Sequence, residues 1–186
     1  PAAYTLGDWT NNNQPTVSFY LSDADASDTV RFRLQISTTS DFSGLVVDYI
    51  SEFGPQGTST FTVGQVPTTG PLYIVGTSGQ TLSDTPTGGY YWRVSAGDGV
   101  GTSTYATAAA GSIAFKVDAS LPVPGSLSIV VGSTSTVTTT ISGASDSVSG
   151  LSALAYVFTN ASTAVSTAST AAKPVTTAAT STATKP

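Results

Sequence analysis

The chain has 186 residues, enough for one domain or two small ones, and its 39% hydrophobic content allows a core in at least part of it. Six basic residues stand against eleven acidic ones with no Lys/Arg cluster, so the electrostatic footprint of a nucleic-acid or anionic-lipid partner is missing. Cysteine is absent, which excludes a disulfide framework and a thiolate metal site, and no apolar run approaches the roughly 20 residues of a membrane-spanning helix.

Charged residues make up only 9% of the chain, so its wettable surface rests on Ser, Thr, Asn, Gln and Gly, a composition that suits an extracellular protein. Histidine and methionine are also absent, and the sequence starts at Pro1, which reads as a mature chain freed of a signal peptide.

Residues 1–13 form an aromatic arm with Tyr4, Leu6 and Trp9, closed by the turn signal Asn11-Asn12-Asn13. Thr16 to Ser22 alternates Val17, Phe19 and Leu21 against Ser18 and Tyr20, a strand that ends in the acidic loop Asp23 to Asp28. Val30 to Ser37 alternates throughout, with Val30, Phe32, Leu34 and Ile36 inward and Arg31, Arg33 and Gln35 outward. Further strands are expected at Leu45 to Phe53, Ser59 to Val63 and Pro71 to Gly76.

Tyr90 to Ala96 is the expected central strand, with Tyr90, Trp92, Val94 and Ala96 on one face, Tyr91, Arg93 and Ser95 on the other, and Trp92 buried in the core. Ser112 to Asp118 is expected to close the set. Seven or eight short strands at about ten-residue spacing, with Gly/Pro turns and no helix-start pattern, argue for an all-β fold, an antiparallel β-sandwich.

The aromatic strand Tyr-Tyr-Trp-Arg-Val-Ser-Ala-Gly-Asp-Gly, the following Ser103-Thr104-Tyr105 and the exit Phe115-Lys116-Val117-Asp118 resemble the last two strands of bacterial fibronectin type III-like and immunoglobulin-like surface repeats. The resemblance implies a spacer or structural part of a bacterial cell surface and brings no chemistry with it.

The composition places this first module at residues 14–120. After Leu121-Pro122-Val123-Pro124 a partial second β-module, 121–160, follows. Its Thr136 to Ser142 repeats Thr16 to Ser22 at an offset of 120, and Ala153 to Phe158 is the counterpart of the Val30 strand. The tail 161–186 is roughly half Ser or Thr, with scattered Val165, Val175, Lys173 and Lys185 and no second Tyr-Tyr-Trp strand.

Asp23, Asp25 and Asp28 share one loop and are the candidate ligands for a calcium ion, against the plainer reading of a solvated acidic turn; the EF-hand glycine and terminal glutamate are missing. Asp98, between two glycines, is read first as turn chemistry and second as a cation ligand. Without histidine or cysteine there is no triad, and the strand pair Asp48 and Glu52 lies about 13 Å apart, too far for a retaining glycosidase. The expectation is that the protein is not an enzyme.

Tyr4, Trp9, Tyr20, Tyr49, Tyr91 and Tyr105 are the candidates for a carbohydrate platform, the basis of an alternative reading as a carbohydrate-binding or adhesin spacer module. Asn160-Ala161-Ser162 fits the N-glycosylation pattern, and tail hydroxyls such as Thr176, Thr177 and Thr180 suit O-linked glycans.

The main expectation is a structural subunit of an extracellular homopolymeric, pilus-like filament, a glycoprotein whose subunits join end to end by β-strand complementation. The second module has a core to bury and a tail too poor in apolar residues to cover it, and open sheet edges pair with available strands. The donor is the arm, through Tyr4, Leu6 and Trp9, or the tail, through Val175.

Overall fold

The computed structural model describes residues 7–25, 27–67, 72–85, 88–131, 136–150, 158–159, 164–165 and 179–184. They are nearly all β, arranged in several mainly antiparallel sheets, and the chain divides into two compact units, Pro1–Ala119 and Ser120–Pro186.

In the first unit β1 (Trp9–Thr10) precedes β2 (Thr16–Leu21), β3 (Arg31–Ser37), β4 (Leu45–Ile50), β5 (Gly57–Thr62), β6 (Leu72–Val75), β7 (Tyr91–Gly97), β8 (Ala106–Thr107) and β9 (Lys116–Val117). One sheet runs β6-β4-β3-β7-β8, a second pairs β2 with β5, and β1 lies parallel to β9. The alternation of β3 fixes its register: Val30, Phe32, Leu34 and Ile36 are all buried, and a slip of one residue would turn them to the other face. They meet Val17, Leu21 and Phe61 from the two-stranded sheet, and Val47, Tyr49, Tyr90, Phe115 and Val117, in one core. Phe19 packs edge-on to Phe32 at 4.8 Å between ring centroids, and Tyr49 sits 4.8 Å from Phe61.

Four expectations change. Trp92 lies on the core face but is only half-buried beside Phe19, while Tyr90 is the buried aromatic of that strand; its hydroxyl finds an acceptor at the Ser83 carbonyl (2.9 Å). Gln35 faces away from the core yet is buried, hydrogen-bonded between Asp48 and Arg93. Leu45 to Phe53 ends as a strand at Ile50, since Ser51 to Phe53 leave the ladder. Ser112 to Asp118 is a strand only at Lys116–Val117: the chain leaves β8, beside β7, through a 3-10 turn at Ala108–Gly111 with Ala109 and Ala110 at positive φ, bridges Tyr90 at Phe115, and forms a ladder only where β9 meets β1.

On the outer face of the larger sheet, Arg33 grips Asp48 with Nε (2.8 Å) and Nη2 (2.6 Å), and Gln35 Nε2 donates to the same carboxylate (2.8 Å). Arg93 Nε donates to Gln35 Oε1 (2.8 Å), and its guanidinium lies between the rings of Phe42 and Tyr105, 4.1 and 4.2 Å from their centroids. Burial pushes the Asp48 carboxyl up, but hydrogen bonds from Arg33 and Gln35 and the two guanidinium charges outweigh it and hold it below its ordinary value. Phe42 reaches Arg93 from a left-handed backbone, φ 61°, an uncommon state for a bulky residue.

The second unit holds β10 (Ser126–Val131), β11 (Thr136–Ser142), β12 (Phe158–Thr159), β13 (Ala164–Val165) and β14 (Ala179–Thr184). β11 is central, antiparallel to β10 on one side and to β14 on the other. Its sequence counterpart β2 has, among the described residues, the single neighbour β5, so the repeated residues occupy different places in their sheets. The expected Ala153 to Phe158 strand lies outside the described residues except at Phe158.

Candidate functional site

Two places in the first unit bring together residues singled out by sequence. The first is the loop end where β2 leaves its sheet and β7 turns back. Asp23 Oδ1 accepts the Asp25 N–H (2.9 Å), and Asp25 Oδ1 accepts the Ser27 N–H (3.3 Å) and hydroxyl (2.9 Å), local bonds that fold the acidic stretch. Gln56, from the β4–β5 connection, pins it by accepting from the Asp23 N–H (2.7 Å) and donating to the Asp25 and Asp28 carbonyls (2.7 and 3.3 Å).

The β7 turn follows the Gly97–Thr102 bridge, and Asp98 Oδ1 accepts from the Val100 and Gly101 amides (2.8 and 2.7 Å). These bonds hold the Asp98 carboxyl below its ordinary value.

As a result Asp23, Asp28 and Asp98 each offer a carboxylate oxygen within 4.8 Å of the others. Asp25 is not one of the three; Asp98, more than 60 residues away in sequence, takes the place expected for it, because chain order carries no record of which loops share one end of a sheet. Asp23 and Asp98 border a cavity of about 300 Å³ with Ser22, Val30, Thr102 and Ser103. Repulsion from Asp25, some desolvation, and repulsion from Asp23 and Asp98 raise the Asp28 carboxyl above its ordinary value. Three carboxylates at this spacing are a hard-cation donor set of the calcium type, with water needed to complete six to eight oxygens.

The second place is the open edge of β5. Among the described residues only β2 pairs with β5, and its inward positions run Gly57, Ser59, Phe61, of which only Phe61 fills the core. A groove of about 350 Å³ is left beside Ser59, floored by Leu21, Phe32 and Tyr49 and bordered by Glu52 and Phe53.

Of the assembly candidates, Trp9 is engaged by its own unit. Its strand is held by the bonds Gly7 N–H to Ala114 O, Lys116 N–H to Asp8 O and Asp118 N–H to Thr10 O, each 2.9 Å, and Lys116 Nζ stands 5.3 Å from the indole ring. Tyr4, Leu6 and Val175 lie outside the described residues, as do Asn160, Thr176 and Thr177. Thr180 pairs with Thr140 in the β11–β14 ladder.

The six aromatics proposed as a sugar platform do not share a face among the described residues. Tyr49 is in the core, Tyr20 is 72% exposed, and Tyr105 is stacked on Arg93. Asp48 is committed to Arg33 and Gln35, whereas Glu52 is exposed in the loop beyond β4. The Arg33–Asp48 ion pair and the Gln35 bridge were missed by sequence reasoning, though Asp48 at an apolar strand's centre with arginines on the next strand was a usable signal.

No protein-family profile, curated protein or solved structure matches the chain.

Proposed function

We propose that this chain is the structural subunit of an extracellular homopolymeric fibre whose copies are joined by β-strand complementation, with the Thr/Ala tail as donor. The observation that carries the reading is β14. A segment without a large side chain, Ala-Thr-Ser-Thr-Ala-Thr, adds to the edge of β11 in a six-residue antiparallel register, from Thr136–Thr184 to Ile141–Ala179. The tail's pairing therefore runs through main-chain bonds, a mode that the rest of this Thr/Ala stretch can use on the edge of another copy. The arm is the weaker donor, since Gly7 to Thr10 already bond to β9 and its neighbours.

The first unit reads as a sandwich of the fibronectin type III or immunoglobulin kind: β6-β4-β3-β7-β8 and β2-β5, two antiparallel sheets, contribute to a single core, the plan of such sandwiches. Low charge and hydroxyl-rich tails fit a fibre outside the cell, with sugars on the tail supplying solubility. A contact between unlike surfaces continues indefinitely unless its rotation closes a ring, so it yields filaments.

Deleting residues 160–186 is expected to leave the first unit's fluorescence-detected unfolding intact and to abolish polymer seen by electron microscopy; deleting 1–6 is expected to leave polymer in place. Fibres that persist without the tail overturn the reading.

A further inference from the structure

We propose that the groove beside β5 is the acceptor site of the fibre, and that a second copy of this chain fills it with the tail stretch 171–177, Ala-Ala-Lys-Pro-Val-Thr-Thr. The inference rests on the strand-complementation reading and gives it a specific address.

Three features of the first unit make this edge an acceptor. Its outer side presents backbone groups away from β2: the Thr62 N–H points there and is taken by Gln65 Oε1 (3.0 Å), and the period-two alternation of a strand aims the Thr58 and Thr60 amides the same way. Neither Thr58 nor Thr60 is buried, and no strand among the described residues lies beside them. Edges of this kind are usually blunted by a charge, a proline or a bulge, and Gly57–Thr62 has none of these.

Beneath the edge, Gly57 and Ser59 leave the core short of side-chain volume over Leu21, Phe32 and Tyr49. An added strand would project every second residue inward there. The chemistry required is an extended backbone with one medium apolar side chain.

Charge selects the occupant. All the carboxylates except Asp146 belong to the first unit, and Glu52, on the groove border, has no ion-pair partner among the described residues. Residues 161–186 carry Lys173 and Lys185 and no acidic residue. In an extended strand Lys173 and Val175 share a face about 7 Å apart, so Val175 entering the groove beside Ser59 brings Lys173 to the acidic border. β14 stays on β11 of its own unit and anchors the end of the same tail.

The absence of cysteine gives a clean test in the full-length chain. Ser59→Cys and Val175→Cys chains are prepared separately, mixed in equal amounts and gently oxidised, with products read by mass spectrometry. Disulfide-linked heterodimers are expected to exceed either homodimer at least tenfold, to fall at least threefold with Glu52→Lys in the first partner, and to recover when Lys173→Glu is added to the second. A statistical mixture, no cross-link, or a double variant that links only within one molecule overturns the proposal. Fibres seen by electron microscopy without heterodimer leave the filament reading standing and reject this acceptor. Heterodimer without fibres does the reverse.

Discussion

The two units use the same backbone ladder and differ in what hangs from it. β3 and β7 pair over seven residues and β11 and β14 over six, so the main-chain bonding is similar per strand. β3 contributes Phe32, Leu34 and Ile36 to a core, whereas β14 has only Ala, Ser and Thr to offer. A ladder bond nets about 0.5–1.5 kcal/mol after exchange with water, while each large buried apolar side chain adds about 1.5–3 kcal/mol. Pairing alone therefore makes strands that can be exchanged; a core makes a unit that keeps its own. Each of the following changes either breaks that contrast or sharpens it.

Phe61→Ala is expected to have the largest effect. Phe61 is fully buried at the junction of β5 with Tyr49, and truncation should cost about 3–5 kcal/mol in urea unfolding. Both tryptophans, Trp9 and Trp92, lie in the first unit, so their fluorescence reports on it alone. Deleting 179–184 should leave that same curve unmoved, and a shift comparable to Phe61→Ala would mean that the first unit depends on the tail.

Asp48→Ala is next, at about 2–3 kcal/mol. A buried pair normally loses more when one partner is removed, but the Arg33 side chain is 40% exposed and water recovers part of the guanidinium's solvation. Because Asp48 titrates below its unfolded value, its contribution is complete above the ordinary carboxylate range near ~3.9 and is lost as the pH falls through the lower folded value. Acid titration of Asp48→Asn should lack that limb.

Arg93→Ala should cost about 1–2 kcal/mol through the lost stacking between Phe42 and Tyr105, with Arg93→Lys recovering only part of it. Equal stability of Ala and Arg at this position would assign the stack no role.

The smallest change is a gain. Folding penalises ionised Asp28, a penalty absent below the unfolded carboxylate value that grows in as pH rises through the raised folded one. Asp28→Asn should thus raise Tm slightly at neutral pH and low salt, less at high salt, and not at all in acid. Millimolar calcium is expected to raise the wild-type Tm and leave Asp28→Asn unmoved; an unresponsive wild type returns the trio to plain turn chemistry.

Much of the fold is legible in period-two alternation. Thr16–Leu21, Arg31–Ser37 and Tyr91–Gly97 fall where Val17, Phe32, Leu34 and Val94 place them, because a strand with one face in a core must put its apolar residues on that face. That Ser112 to Asp118 forms only the short β9 was not legible, since its alternating apolar residues are equally consistent with one longer strand; pairing with Trp9–Thr10 sets its extent. Half of the acidic site could be read from Asp23 and Asp28 in one loop. Asp98 could not, because its membership depends on two loops meeting at one end of the unit.

By itself, then, the sequence determined an all-β chain, the inward residues of its main strands, and a tail too poor in apolar side chains to build a core, since each follows from local alternation and composition. Only the tertiary structure decided that Gln35 is buried under Arg93, that Asp98 completes the carboxylate trio, and that small residues of β5 open a groove over Phe32 and Tyr49. Each of these joins groups far apart in the chain, and distance in space is set by strand order, which alternation along a single strand does not encode.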